Sequence, residues 1–153
     1  MAGIMKPRRP VKRSAPLKGK VGIVFAQWNE EITGALLSGA RDLLIRSGIP
    51  ANRIIEVAVP GSFELPLAAQ RLAMKKDIAG VICIGCLIKG DTPHFDYISQ
   101  AVSHGLMDVG LKFNKPVIFR VLTTNTLQQA IDRAGGKLGN KGEEAASTLL
   151  SMV

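Results

Sequence analysis

Short, β-branched apolar runs alternate along the chain with stretches in which apolar residues recur every three or four positions. Residues 21–26 (VGIVFA) form the first run and predict a buried strand, followed by a loop at Gln27-Trp28-Asn29. Asn29 is placed to cap the next helix, and Glu30 and Glu31 suit its first turn. Ile32, Leu36, Ala40, Leu43 and Leu44 give that helix an apolar stripe, and Gly48 with Pro50 ends it. Residues 53–59 predict a second strand, after which residues 60–64 turn into a helix carrying Leu67, Ala68, Leu72 and Ala73 on one side. Residues 81–88 predict the third strand, buried on both faces and broken at Gly90. A long helix restarts there with Thr92 as N-cap and Pro93 at the first helical position, where a missing N–H costs nothing. Its apolar positions are Ile98, Val102, Leu106, Val109 and Phe113, and Lys115-Pro116 breaks it. A fourth strand over 117–122, a helix from 123 to 134, a glycine-rich interruption over 135–142 and a helical run to Met152 complete the pattern.

Strands that alternate with helices predict an α/β fold with right-handed crossovers. The expected architecture is a three-layer αβα sandwich of flavodoxin-like size, built on a four-stranded, mainly parallel sheet. With 153 residues, 46% hydrophobic and 21% charged, the chain has the composition of one ordinary globular domain. No internal repeat and no second domain is visible. No apolar run approaches a bilayer span and no signal-peptide pattern is present, so the expectation is a cytoplasmic protein without a membrane partner.

The net charge of +8 changes meaning once it is divided along the chain. Residues 1–20 hold Lys6, Arg8, Arg9, Lys12, Arg13, Lys18 and Lys20 and no acidic side chain. The remainder holds thirteen basic against twelve acidic residues. A nearly neutral domain over 20–153 is therefore preceded by a basic arm over 1–19 that contains proline and little apolar content. Such an arm reads first as disordered and solubilising, and second as a contact for polyanions, nucleic acid included. Its length and its single serine, Ser14, argue against an organelle-targeting peptide. Cys83 and Cys86 form a C-x-x-C, but an offset of three along a strand puts the two sulfurs on opposite faces. They can neither bridge nor share a metal, and two histidines do not complete a zinc set.

In open α/β sheets, ligands bind outside the carboxyl ends of the strands. The loops that should gather there carry Trp28, then Ser62-Phe63-Glu64, then residues 89–94, then residues 119–124. Together they offer aromatic faces for a planar ring, backbone groups for its polar rim and a helix start that favours an anion. His94 adds a proton carrier, although on the residues alone it reads equally as a capping or solvent histidine. His104, mid-helix, has no such context and reads as a surface or interface residue. There is no dinucleotide fingerprint, no Walker loop and no nucleophile elbow. A cofactor-free condensation or proton-transfer site for an aromatic and an anionic ligand is the reading these features support.

The stretches FAQWNEEI, VPGSFELPLAA, GCLIKGDTPHFDYI, VIFRVLTT and DRAGGKLGNKG occur in this order across residues 20–153. In that order and spacing they resemble the lumazine synthase (6,7-dimethyl-8-ribityllumazine synthase) family, with the block from Gly90 to Asp96 the most specific. The resemblance implies condensation of 5-amino-6-(D-ribitylamino)uracil with 3,4-dihydroxy-2-butanone 4-phosphate, the penultimate step of riboflavin biosynthesis. It implies Schiff-base formation, loss of phosphate and ring closure without metal or organic cofactor. Carried over by position, Trp28 matches the aromatic that stacks on the uracil ring. Ser62, Phe63 and Glu64, with Cys86, Leu87 and Ile88, match the pyrimidine- and ribityl-binding segments, largely through backbone. Asp91 and Thr92 match the phosphate-holding segment, and His94 the proton-transfer residue. Phe119 and Arg133 match residues that a neighbouring subunit adds, one closing the ring pocket and the other pairing with phosphate. Lys141 matches, more loosely, a further basic residue near the site.

The chain departs from the family pattern at Glu143, where Trp is frequent, and at Gly136, where Thr is frequent. The first bears on the packing of the last helix, the second on the linker before it. The resemblance also implies a homopentamer. The absence of an insertion in that linker is similar to members that assemble a 60-subunit icosahedral shell, with riboflavin synthase as a candidate partner. A flavin- or lumazine-binding storage assembly on the same fold, with little catalysis, is the alternative.

Overall fold

The computed structural model describes residues 8–153. Four strands, β1 (Lys20–Ala26), β2 (Ile54–Val59), β3 (Ile78–Ile88) and β4 (Val117–Thr124), form one parallel sheet in the order β2-β1-β3-β4. Its helices are α1 (Glu30–Arg46), α2 (Leu65–Ala73), α3 (His94–Phe113), α4 (Leu127–Arg133) and α5 (Lys141–Met152). The expected α/β sandwich is the one observed.

Two apolar clusters lie on opposite faces of the sheet, and the strict alternation of strand side chains sorts residues between them. Ile23, Ile82, Ile84, Cys86 and Leu122 pack with Leu36, Leu43 and Leu44 of α1 and Leu149 of α5. Val24, Val81, Cys83 and Val121 pack with Leu65 and Leu72 of α2 and Val102 and Leu106 of α3. Each fully buried leucine contributes about 1.5–3 kcal/mol of apolar transfer. Cys83 and Cys86 fall in different clusters, on opposite sides of β3, and both are free thiols.

Element ends differ from the sequence expectation where local chemistry has a second use. The second strand starts at Ile54, because Arg53 closes a 3₁₀ turn over Ala51–Arg53 and its guanidinium donates to the Leu17 carbonyl. The third strand begins at Ile78, ahead of the expected start, and pairs there with Lys20. The fourth runs on through Thr123 and Thr124, which pair with Leu87 and Ile88, so α4 begins only at Leu127, capped by the Thr126 hydroxyl. The long helix starts at His94 with Pro93, not Thr92, in the cap position and no side-chain cap. Within the glycine-rich interruption, Ala134–Gly136 (β5) and Gly139–Asn140 (β6) form a small hairpin. Gly135 and Gly139 take the positive φ values, 105° and 78°, that its turns require.

The basic arm was expected to be disordered over 1–19, and residues 1–7 lie outside the described residues. Residues 8–19 form no helix or strand, yet they lie against the α1–α5 face. Leu17 is buried, Val11 packs on the same cluster and donates its N–H to the Ser47 hydroxyl, and Arg13 donates to the Leu150 and Val153 carbonyls. At α5, Glu143 accepts the Arg8 N–H and pairs with Arg46, while Glu144 pairs with Arg8, Arg120 and Lys141. At position 143, then, a carboxylate in contact with the arm stands where family members often carry an indole.

Candidate functional site

In the order β2-β1-β3-β4 the chain crosses from β1 to β2 on one side, then returns from β2 past β1 to β3 on the other. The carboxyl ends of β1 and β3 therefore flank the switch point of the sheet. A cavity of about 440 Å³ opens there. Its walls are the loop after β1 (Trp28, Asn29), the 3₁₀ turn after β2 (Gly61, Ser62, Phe63, Glu64) and the end of β3 (Cys86, Leu87, Ile88). Gly90 and Thr92 continue the wall into the first turns of α3, which add His94, Phe95 and Ile98.

Each wall has a local cause. Glu64 reaches back to accept the Gly61 N–H at 3.0 Å, which tightens the turn and leaves the Phe63 ring 59% exposed at the mouth. Ser62 is buried because it presses on Gly85, where an added Cβ would lie 2.4 Å from the Ser62 oxygen. Only glycine lets that turn approach the strand so closely. β1 stops pairing with β3 at Phe25 opposite Ile84, but β3 continues to Ile88 beside β4. The last four residues of β3 therefore pass beyond the end of β1 and form a backbone shelf beneath the cavity. Trp28 stands over this region with its indole 74% exposed.

At the far wall, α3 begins without a side-chain cap, and Pro93 accepts from the N–H groups of Asp96 and Tyr97. The leading N–H groups of a helix lack intrahelical partners and favour an anion. His94 is the first residue of this helix, and its imidazole has no partner among the described residues. Cys86 lines the cavity with a thiol that burial pushes up to about 11, and burial raises the Cys83 thiol as well. Neither thiol is a ready nucleophile.

The structure thus gathers Trp28, Ser62, Phe63, Glu64, Cys86, Leu87, Ile88, Thr92 and His94 around one hollow, with Asp91 on the exposed rim between Gly90 and Thr92. Besides Asp91, three expected residues do not line it. Phe119 lies midway along β4 and borders a separate hollow with Met107, Leu111 and Met152. Arg133 ends α4 with its guanidinium on the Gln129 carbonyl at 2.9 Å, and Lys141 pairs with Glu144 at the start of α5. Gly90 comes from the expected loop 89–94, while Asn29, Gly61, Phe95 and Ile98 line the hollow without having been expected. For Ile98 the signal was present, since it sits four residues beyond His94 on a helix. Among the described residues no group of acidic, cysteine or histidine side chains is arranged to hold a metal. Among those residues no helix is long and apolar enough to cross a membrane.

The fold and the hollow define an α/β protein with a small-molecule site at the switch point of a parallel sheet. Residues 18–153 match the family model described as 6,7-dimethyl-8-ribityllumazine synthase, and the chain belongs to that family. A Cytophaga hutchinsonii protein of that name is 61% identical over 132 residues, covering 86% of this chain and 83% of the relative. The Parabacteroides distasonis protein of the same name is 50% identical over 133 residues (87% and 83%). That of Bacteroides fragilis is 50% identical over 134 residues (88% and 94%). The chain is accordingly an enzyme of riboflavin biosynthesis, a transferase that forms the lumazine, and the storage reading is not favoured.

Proposed function

We propose that the hollow at the ends of β1, β2 and β3 is where 5-amino-6-(D-ribitylamino)uracil and 3,4-dihydroxy-2-butanone 4-phosphate condense. The observation that carries this reading is the convergence of Trp28, the Ser62–Glu64 turn, the Cys86–Ile88 shelf, Thr92 and His94 on one cavity. The indole of Trp28 stacks on the pyrimidine. Ser62, Phe63 and Glu64 meet its polar rim, and the backbone of Cys86, Leu87 and Ile88 receives the ribityl chain. Asp91 and Thr92, at the uncapped start of α3, hold the phosphate.

The 5-amino nitrogen attacks the ketone and water leaves, forming the Schiff base. Removal of the C3 proton then expels phosphate from C4. The resulting enol tautomerises to a C3 ketone bearing a new methyl group, and attack by the ribityl-bearing nitrogen on that ketone closes the ring with loss of a second water. Each step moves a proton, and none requires an electron acceptor. An imidazole can accept a proton at one ring nitrogen and donate one from the other, which is the role of His94. Holding two substrates in register contributes up to about 7–11 kcal/mol in the best cases, so modest acid–base chemistry suffices without a metal or organic cofactor.

Phe119 and Arg133 act on the hollow of a neighbouring copy, and Lys141 is a further basic residue near the site. This is supported by their absence from the walls of their own hollow and by the apolar surface around Phe119. Met107, Leu111 and Met152 border that second hollow with Phe119 and are exposed, an apolar surface of the kind that marks an interaction site. The assembly is a homopentamer, and the uninterrupted linker favours its growth into a 60-subunit icosahedral shell. A cytoplasmic setting, and riboflavin synthase as the protein that takes up the product, follow from the pathway. Contact between the basic arm and nucleic acid is a lesser reading, supported only by its charge.

Purified protein given both substrates should develop lumazine absorbance, and native mass spectrometry should return a multiple of five chains. A folded oligomer that binds lumazine but makes none would replace this reading with the storage one.

A further inference from the structure

Asn29 was expected to cap α1; it occupies the cap position, but its side chain does not make the cap. Its backbone is left-handed, φ 62° and ψ 49°, and its side chain makes no cap bond. The side-chain amide instead donates to the Cys86 carbonyl at 2.9 Å, across the gap where β1 has left the sheet. Along β3, backbone groups of successive residues point to opposite edges. Lys89 turns its N–H to the Thr124 carbonyl on the β4 side, so Cys86, three residues earlier, faces the β1 side.

If β1 continued, the next backbone N–H to reach the Cys86 carbonyl would be that of Trp28. That N–H goes to the Pro60 carbonyl at 3.1 Å, and the Gln27 N–H goes to Val59 at 2.8 Å. The loop after β1 is therefore drawn towards β2, and the amide of Asn29 fills the rung that Trp28 leaves. Trp28 is held between two anchors, Pro60 through its own N–H and Cys86 through its neighbour. With its indole 74% exposed, little side-chain packing aims the ring, and the backbone must. Few residues meet both requirements. Asparagine adopts the left-handed region readily and carries a donor amide, whereas glycine keeps the conformation without the amide and aspartate keeps the shape without the donor.

We propose that Asn29 is the positioning residue of the pyrimidine subsite, closing the β3 edge with a side-chain rung and thereby aiming Trp28 over the shelf that ends at Ile88. This rests on the reading of the hollow given above. Trp28 is the only tryptophan in the chain, so emission reports on it directly. Asn29→Asp and Asn29→Gly should each raise KM for the pyrimidine about tenfold, the equivalent of one hydrogen bond, and weaken quenching of Trp28 by added 6,7-dimethyl-8-ribityllumazine by the same factor. kcat and KM for the butanone phosphate should stay within about threefold. The glycine variant, which keeps the left-handed backbone without strain, serves if the aspartate variant folds poorly. Either folded variant with pyrimidine KM and quenching within twofold of the parent overturns the proposal, as does an equal loss for both substrates. A parent protein that quenches with lumazine yet forms none would sink the catalytic reading alone, because the quenching series still tests Asn29.

Discussion

Helices α3 and α5 begin in opposite ways. At the start of α5 the Asn140 side chain accepts the Gly142 N–H, and Glu143 and Glu144 occupy the first turn. Glu144 is engaged by Lys141, Arg8 and Arg120, and Glu143 by Arg46 and the Arg8 backbone. At the start of α3 no side chain caps the backbone, and the His94 imidazole faces the hollow without a partner among the described residues. A helix start completed by its own chain is architecture. One left incomplete beside a cavity is suited to an incoming anion and a proton-transfer step.

The contrast also sets the pKa pattern. Burial alone would raise the Glu144 carboxyl, but hydrogen bonds from Lys141 and Arg8 and the charge of Arg120 hold it below the usual carboxylate range. The Arg120 guanidinium is lowered by burial, opposed by Glu144. A carboxylate whose pKa falls on folding stabilises the fold above its unfolded value, near 4.5, and that contribution is lost as pH falls through the lower folded value.

The sharpest way to break the comparison is at α3. His94→Ala should slow turnover roughly 10²-fold, the lower end of what a placed acid–base supplies, with native mass unchanged; undiminished turnover would remove the proton-transfer role. Next comes the completed end. Glu144→Gln should cost about 2 kcal/mol at pH 7 by leaving the part-buried Arg120 without its carboxylate, measured by denaturant unfolding. In the same variant the loss of stability on acidification below about pH 4.5 should be shallower than in the parent, and an identical acid profile would refute the network's role. Arg133→Ala should raise KM for the butanone phosphate about tenfold while leaving that for the pyrimidine within twofold, because it removes a charged donor to phosphate. Equal effects on both substrates would count against that assignment. The smallest effect belongs to Arg8→Ala. One partly exposed ion pair at the arm should change stability by less than about 1 kcal/mol, and high salt should erase the difference.

Much of this was legible before any coordinates. Alternation along residues 81–88 put Cys83 and Cys86 on opposite faces, and the strand-end rule gathered Trp28, Ser62 and His94 at one edge. What escaped had competing physical uses. Asn29 carries a side chain suited to a cap, and a pattern of residues cannot say that its amide reaches a strand 57 positions away. Thr123 and Thr124 suit a helix start as well as a strand, and it was pairing with Leu87 and Ile88 that decided between them. Val11 and Leu17 have no apolar periodicity around them, so the packing of residues 8–19 on α1 and α5 left no trace in the pattern. Phe119 and Arg133 can be read as site residues only through a second copy, and no property of one strand or helix reveals that geometry.

The placement of the two thiols has a practical consequence. Because Cys83 and Cys86 stand back to back across one strand, each under its own layer of helices, air or peroxide has no intramolecular crosslink to make without tearing the sheet. No disulfide within one chain can therefore form in oxidising surroundings, and the sheet keeps its two thiols apart.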